Sequence, residues 1–188
     1  DFLVVPAFPE TRSGKYMRRT LRAILLDPDN DDMSLRCEMM LYMASRAQLV
    51  AERIAPARAR GELVLADRFV SSTLAYQGTA GGMDIGDIRR VGEVAIGEHW
   101  PDLVVVFDAD ENVAQHRLNP LLDRMERKGA EYHRRVRQGY LDQAAADPDG
   151  YLVIDASGEV DEVFEQLCQQ MESRFDGVPS SRTASTGD

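Results

Sequence analysis

The sequence predicts a three-layer α/β fold, a mostly parallel sheet flanked by helices. Three observations predict it. Leu63–Ala66, residues 103–107 and residues 152–154 are apolar runs that read as strands, the first with the signature of a central strand covered on both faces. The segments between them carry apolar residues at helical spacing. Strand and helix alternate without an internal repeat over 188 residues, a length that suits one domain with a sizeable core.

Each element has its own signal. Phe2–Val5 is a short apolar strand stopped by Pro6 and Pro9. Residues 13–26 have helical spacing through Met17, Leu21, Ile24 and Leu25, and end at the acidic loop 27–32. Ser34 is placed to cap a long helix running to about residue 60, with Met39, Met40, Met43, Ala47, Val50 and Ile54 inside and Gly61 as its stop. After the strand Leu63–Ala66, Ser71-Ser72-Thr73 reads as a polar stretch and 78–82 as turn material. Residues 84–98 predict a helix, 103–107 a strand ending at Asp108, and 112–118 the start of another helix. The basic segment 119–128 is interrupted by Pro120 and precedes a helix at 130–146. Strand 152–154 and helix Val160–Arg174 close a single domain at 1–176. The small polar residues of 177–188 predict a disordered tail.

Composition narrows the function. Hydrophobic residues make up 44% and charged residues 29%, as in soluble globular proteins. No run approaches the roughly 18 apolar residues of a membrane-spanning helix, and Asp1 with the apolar run behind it does not open a signal peptide. The two cysteines, Cys37 and Cys168, have no metal-ligand spacing and cannot build a disulfide framework, which predicts a reducing, cytoplasmic setting. Net charge of -10 argues against a broad nucleic-acid surface, but a few arginines aimed into one cleft can still bind a small phosphorylated ligand. His99, His116 and His133 show no metal spacing and no paired nucleophile.

In open parallel sheets, ligands bind beyond the carboxyl ends of the strands. Asp67-Arg68 follows one such strand. A carboxylate there could contact Mg2+ and a guanidinium could grip phosphate; the two residues alone fit a structural ion pair equally well. Tyr42 and Arg46 are four apart and project from one helix face, where a ring and a cation suit a nucleobase. Without neighbouring motifs the same pair is an amphipathic helix with a snorkelling arginine. Arg117, Arg124 and Arg127 make the 119–128 region basic, as in a lid over phosphates or a solvated charged loop.

Read together, these segments resemble the thymidylate kinase family. Asp67-Arg68-Phe69, Ser72-Thr73 and Ala75-Tyr76-Gln77-Gly78 match its Asp-Arg-aromatic, Ser and Ala-Tyr-Gln-Gly hallmark. Leu41-Tyr42-Met43-Ala44-Ser45-Arg46 is similar to its long helix, and Asp123-Arg124-Met125-Glu126 and residues 132–140 to its lid and following helix. Ile154-Asp155-Ala156-Ser157 is similar to its segment beside the nucleotide base. The resemblance spans nearly the whole chain in order. It implies a P-loop-kinase-like fold and ATP- and Mg2+-dependent phosphorylation of dTMP to dTDP by a homodimer, with the 34–60 helix as a candidate contact. Alternatives are another nucleoside-monophosphate or deoxynucleoside kinase on the same fold, or a non-catalytic nucleotide-binding remnant.

The resemblance also implies roles. Tyr42 would stack on the dTMP base and Arg46 would hydrogen-bond it. Arg68 would bind the acceptor 5′-phosphate, with Asp67 near Mg2+ and the transferring group. Ser72, Thr73, Tyr76 and Gln77 would line base and sugar, Tyr76 sensing by bulk the absence of a 2′-hydroxyl. Arg12, in Phe8-Pro9-Glu10-Thr11-Arg12, would contact the acceptor phosphate, although a proline-rich connector explains that segment as well. Arg124 and Arg127 would stabilise charge on the transferred group.

One part of such an enzyme is missing from these residues. No Gly-x-x-x-x-Gly-Lys-[Ser/Thr] is present; Ser13-Gly14-Lys15-Tyr16 lacks the first glycine and the hydroxyl. If Phe2–Val5 is the family's second strand, the first strand, loop and helix would precede Asp1. Residues 1–188 alone are therefore expected to bind dTMP weakly and to transfer phosphate hardly at all.

Overall fold

The computed structural model describes residues 2–5, 20–21, 23–110, 113 and 128–175. Among them four strands form: β1 (Phe2–Val5), β2 (Leu63–Ala66), β3 (Val104–Asp108) and β4 (Tyr151–Asp155). They make two parallel pairs, β1 with β2 (Phe2 opposite Leu63) and β3 with β4 (Val104 opposite Tyr151). Parallel partners need crossover connections, which is why helices separate the strands in sequence.

Helix α1 (Leu35–Leu49) starts where the sequence placed its cap, with Ser34 Oγ accepting from the Cys37 backbone N–H at 3.3 Å. It runs through a π-helical turn, Val50–Ile54, into α2 (Ala55–Ala59). The expected 34–60 helix is thus one rod with a widened section. Pro56 accounts for the widening, because it donates no N–H to the preceding turn and its ring crowds that turn's carbonyl. Gly61, at φ +75°, ends the rod.

Beyond β2 the structure corrects the sequence reading. Residues 71–73 are not a loop-like polar stretch: α3 (Val70–Thr73) runs on as a π-helical segment, Leu74–Ala80, which takes in 78–80 and leaves only 81–82 as the expected turn. Val70, Leu74, Ala75 and Ala80 are fully buried, and Ser71, Ser72 and Thr73 are buried with them. Packing on both sides overrides the modest helix propensity of serine and threonine. Helix α4 (Ile85–Ile96) is capped by Asp84, which accepts from the Asp87 N–H at 2.9 Å, and stops at Gly97 (φ +56°). Helices α5 (Gly129–Ala146) and α6 (Val160–Arg174) follow, α6 opening with a Glu159–Glu162 capping box.

The main core joins α1, the π turn, α3 and α4 through Met39, Met43, Leu49, Phe69, Leu74 and Ile88. Each such fully buried side chain contributes about 1.5–3 kcal/mol. A second cluster of Ala75, Ala80, Tyr132 and Val136 seats α5 on the π-helical segment. Contact there is close: a Cβ on Gly139 would lie 2.8 Å from Thr79 Cβ and 3.1 Å from Ala75 Cα.

Two further expectations need correction. Met40 is 48% exposed, so only Met39 and Met43 of the three methionines are core. Nor is β2 covered on both faces: Val64 packs toward the main core, while Leu63 and Leu65, on the opposite face of the pleat, are 54% and 48% exposed. Residues 20–21 and 23–26 of the expected 13–26 helix are helical. The remaining residues of that helix, most of 112–128 and the 177–188 tail lie outside the described residues.

Candidate functional site

The site is built where α1 faces α3 and its π-helical continuation. Glu38, Tyr42 and Arg46 fall on one stripe of α1, four residues apart, and Thr73 and Gln77 fall one turn apart on the facing helix. Two hydrogen bonds join these stripes. Arg46 donates to Thr73 Oγ1, and Gln77 Nε2 donates to Glu38 Oε1 at 2.7 Å. Tyr42 lies between the two connections.

Arg46 is almost fully buried. Its guanidinium carbon lies 5.8 Å from the Tyr42 ring centroid and 5.9 Å from that of Phe69. Among the described residues no carboxylate pairs with it. Burial pulls its pKa down to about 10, despite opposing contributions from Tyr42 and Tyr140. A cation held dry between two rings has strong unmet demand for an acceptor.

Arg68 sits in the turn after β2 with φ +62°, the left-handed region, which is costly for any residue with a Cβ and not for glycine. That turn swings its guanidinium to 5.3 Å from the Tyr76 ring centroid. Desolvation lowers the Arg68 pKa, but Tyr76, Tyr140, Asp67 and Tyr42 outweigh it and leave it raised, so the group stays cationic at neutral pH. Asp67 beside it is exposed. One exposed carboxylate beside a cation is compatible with Mg2+, which takes few protein ligands and keeps several waters.

Tyrosines from α5 close the far side. The Tyr140 hydroxyl and Ser72 Oγ lie 2.7 Å apart, and Tyr132 donates to the Tyr76 carbonyl at 2.7 Å with the two rings edge to face. Burial raises both phenols above their ordinary range, the Ser72 bond partly offsetting the effect at Tyr140. Lys128 lies 4.8 Å from the Tyr132 centroid and 3.8 Å from Glu38 Oε2.

The structure therefore brings Tyr42, Arg46, Arg68, Ser72, Thr73, Tyr76 and Gln77 to one place and sets Asp67 beside Arg68. Arg12, Arg124 and Arg127 lie outside the described residues. Sequence reasoning missed Glu38, Lys128, Tyr132 and Tyr140. Glu38 had a signal, a carboxylate one turn before Tyr42 on the stripe that also carries Arg46; the tyrosines had none, because only the docking of α5 brings them in. Arg137, near them in sequence, is instead engaged bidentately by Asp108 at 2.6 and 2.8 Å.

The family profile described as thymidylate kinase matches residues 4–167. The chain belongs to the thymidylate kinase family. A thymidylate kinase of Desulforudis audaxviator (strain MP104C) is 45% identical over 150 residues, which are 79% of this chain and 66% of that protein. One from Nitratidesulfovibrio vulgaris (strain DSM 19637 / Miyazaki F) is 40% identical over 169 residues, 85% of this chain and 79% of that protein. The chain thus spans about two thirds of the first relative's length and about four fifths of the second's. The crystal structure of thymidylate kinase from Ehrlichia chaffeensis superposes with a TM-score of 0.69 at 22% identity, covering 91% of this chain and 80% of that one. That likeness establishes the fold of this family member, an α/β kinase fold with parallel strands and flanking helices.

Proposed function

We propose that these residues form the acceptor-nucleotide site of a kinase that phosphorylates dTMP to dTDP with ATP. Arg46 carries the reading: a buried guanidinium against the Tyr42 ring is suited to donate to a base carbonyl such as thymine O4 while the ring stacks on the base. Arg68 binds the 5′-phosphate, and its place beside Asp67 puts phosphate next to a carboxylate fit for Mg2+. Ser72, Thr73, Tyr76 and Gln77 line the base and sugar. Arg12, Arg124 and Arg127 serve the acceptor phosphate and the transferred group.

In this reading an acceptor-phosphate oxygen attacks the γ-phosphorus of ATP and the bond to the β–γ bridging oxygen breaks, releasing ADP. Mg2+ bound with ATP supplies charge neutralisation on the phosphates. The residues here contribute position and charge: Arg68 fixes the nucleophile, Tyr42 and Arg46 fix the base, and the lid arginines meet developing charge. The protein works in the cytoplasm as a homodimer, and Met40, exposed on α1, supports the 34–60 helix as a contact.

The test is an NMR titration of the chain with dTMP, dUMP, dCMP and dGMP up to millimolar concentration. dTMP should bind tightest, and failure of dTMP to lead would overturn the assignment. Residues 1–188 contain no donor-phosphate loop motif. Incubated alone with ATP, Mg2+ and dTMP they should give no dTDP.

A further inference from the structure

Glu38 is a carboxylate at 1% exposure that the phosphoryl-transfer reading leaves without a task. Its partner, Gln77, is also 1% exposed. The contact between them has a direction. A carboxylate oxygen accepts and never donates, so the 2.7 Å bond to Glu38 Oε1 holds the nitrogen end of the Gln77 amide toward α1. Lys128, 3.8 Å from the other oxygen, supports the negative charge there. Beyond that bond the amide has its carbonyl oxygen and its second N–H, side by side in a fixed order. Gln77 stands one turn from Thr73, the partner of Arg46, so the Glu38–Gln77 bond flanks Tyr42 on the side away from the Arg46–Thr73 bond.

We propose that Glu38 is a positioning residue that locks the Gln77 amide to read an imide edge, and so sets the preference for thymine or uracil over cytosine. The inference rests on the acceptor-site reading given above. An imide presents an N–H donor beside a carbonyl acceptor, the complement of an amide offering its oxygen and one N–H. Cytosine presents the reverse pattern. To pair with it, Gln77 would have to flip and aim its carbonyl oxygen at the Glu38 carboxylate, two acceptors face to face without water. Arg46 adds a donor for the imide carbonyl but cannot by itself sense the ring N–H. A purely structural Glu38 would hold α1 to the π-helical segment and affect all nucleotides equally.

The experiment measures dTMP and dCMP affinities by NMR titration, with melting temperature, for the chain and three variants. Glu38→Gln keeps the shape but offers either a donor or an acceptor, freeing Gln77 to flip; the dTMP-to-dCMP affinity ratio should fall by about tenfold or more. Glu38→Asp retains an acceptor and should keep most of the ratio. Should Glu38→Gln fail to fold, Gln77→Leu decides, because removing the amide must abolish the same preference. A folded Glu38→Gln that loses affinity for both nucleotides equally, or a folded Gln77→Leu that retains the ratio, would overturn the inference while leaving the acceptor-site reading intact. A parent chain without preference for dTMP would overturn both.

Discussion

The Ser72 hydroxyl and the Tyr140 phenol lie 2.7 Å apart, joining α3 to α5 across 68 residues of sequence. This bond holds the tyrosine wall of the site against the helix that carries Thr73, Tyr76 and Gln77. Ser72→Ala and Tyr140→Phe should each lower unfolding free energy by about 1–2 kcal/mol in urea titrations, because each leaves a buried or half-buried hydroxyl without its partner. The double variant should be less destabilised than the sum, by roughly 0.5–1.5 kcal/mol. Strict additivity would show that the contact does not contribute.

The same wall predicts alkaline behaviour. Tyr132 and Tyr140 have pKa values raised by burial above the ordinary phenol value near 10. In the unfolded chain these phenols ionise first, so the stability they contribute is fully present below about pH 10 and is lost as pH rises through their folded values. Unfolding free energy should therefore decline above about pH 10, and Tyr140→Phe should reduce the slope. Phenolate absorbance near 295 nm, expected to rise together with unfolding, provides the check.

Arg46 has the opposite sign. A pKa drawn down from 12.5 to about 10 means that burial penalises the cation throughout the neutral range, on the order of 3 kcal/mol, relieved only as pH climbs past about 10. Losing the bond to Thr73 offsets part of the gain from removing it. Arg46→Met, similar in reach, should then melt no lower than the parent while dTMP affinity drops by about tenfold or more. A melting temperature several degrees lower would show that the guanidinium is a structural element first.

Arg68 separates backbone strain from ligand binding. At φ +62° its backbone favours glycine, so Arg68→Gly should be more stable than Arg68→Ala by about 1 kcal/mol. Both should lose dTMP affinity to a similar degree and should bind thymidine, which lacks the phosphate, as the parent does. Equal losses for thymidine and dTMP would remove Arg68 from the phosphate.

The sequence made the strands, the Ser34 cap and the Gly61 stop legible, because each depends on neighbours within a few positions. Tyr42 and Arg46 were readable for the same reason, being one helical turn apart. What escaped depends on packing between distant segments. Ser71-Ser72-Thr73 carries no helical signal of its own and becomes helical only when Val70 and Leu74 are buried on one side and α5 covers the other. Tyr132 and Tyr140 could not be assigned to the site before that docking was known. Leu63 and Leu65 misled for a related reason: an apolar run says what a strand would prefer to meet, not what stands beside it.

The π-helical segment Leu74–Ala80 gives the site a sensitivity of another kind. Its backbone hydrogen bonds span five residues rather than four, so it accommodates more chain per turn than an ordinary helix between the same end points. Tyr76 and Gln77 owe their aim to that count as much as to their identities. A substitution here alters one contact; loss of a single residue would rotate every side chain beyond it. In this stretch the number of residues is itself part of the recognition code.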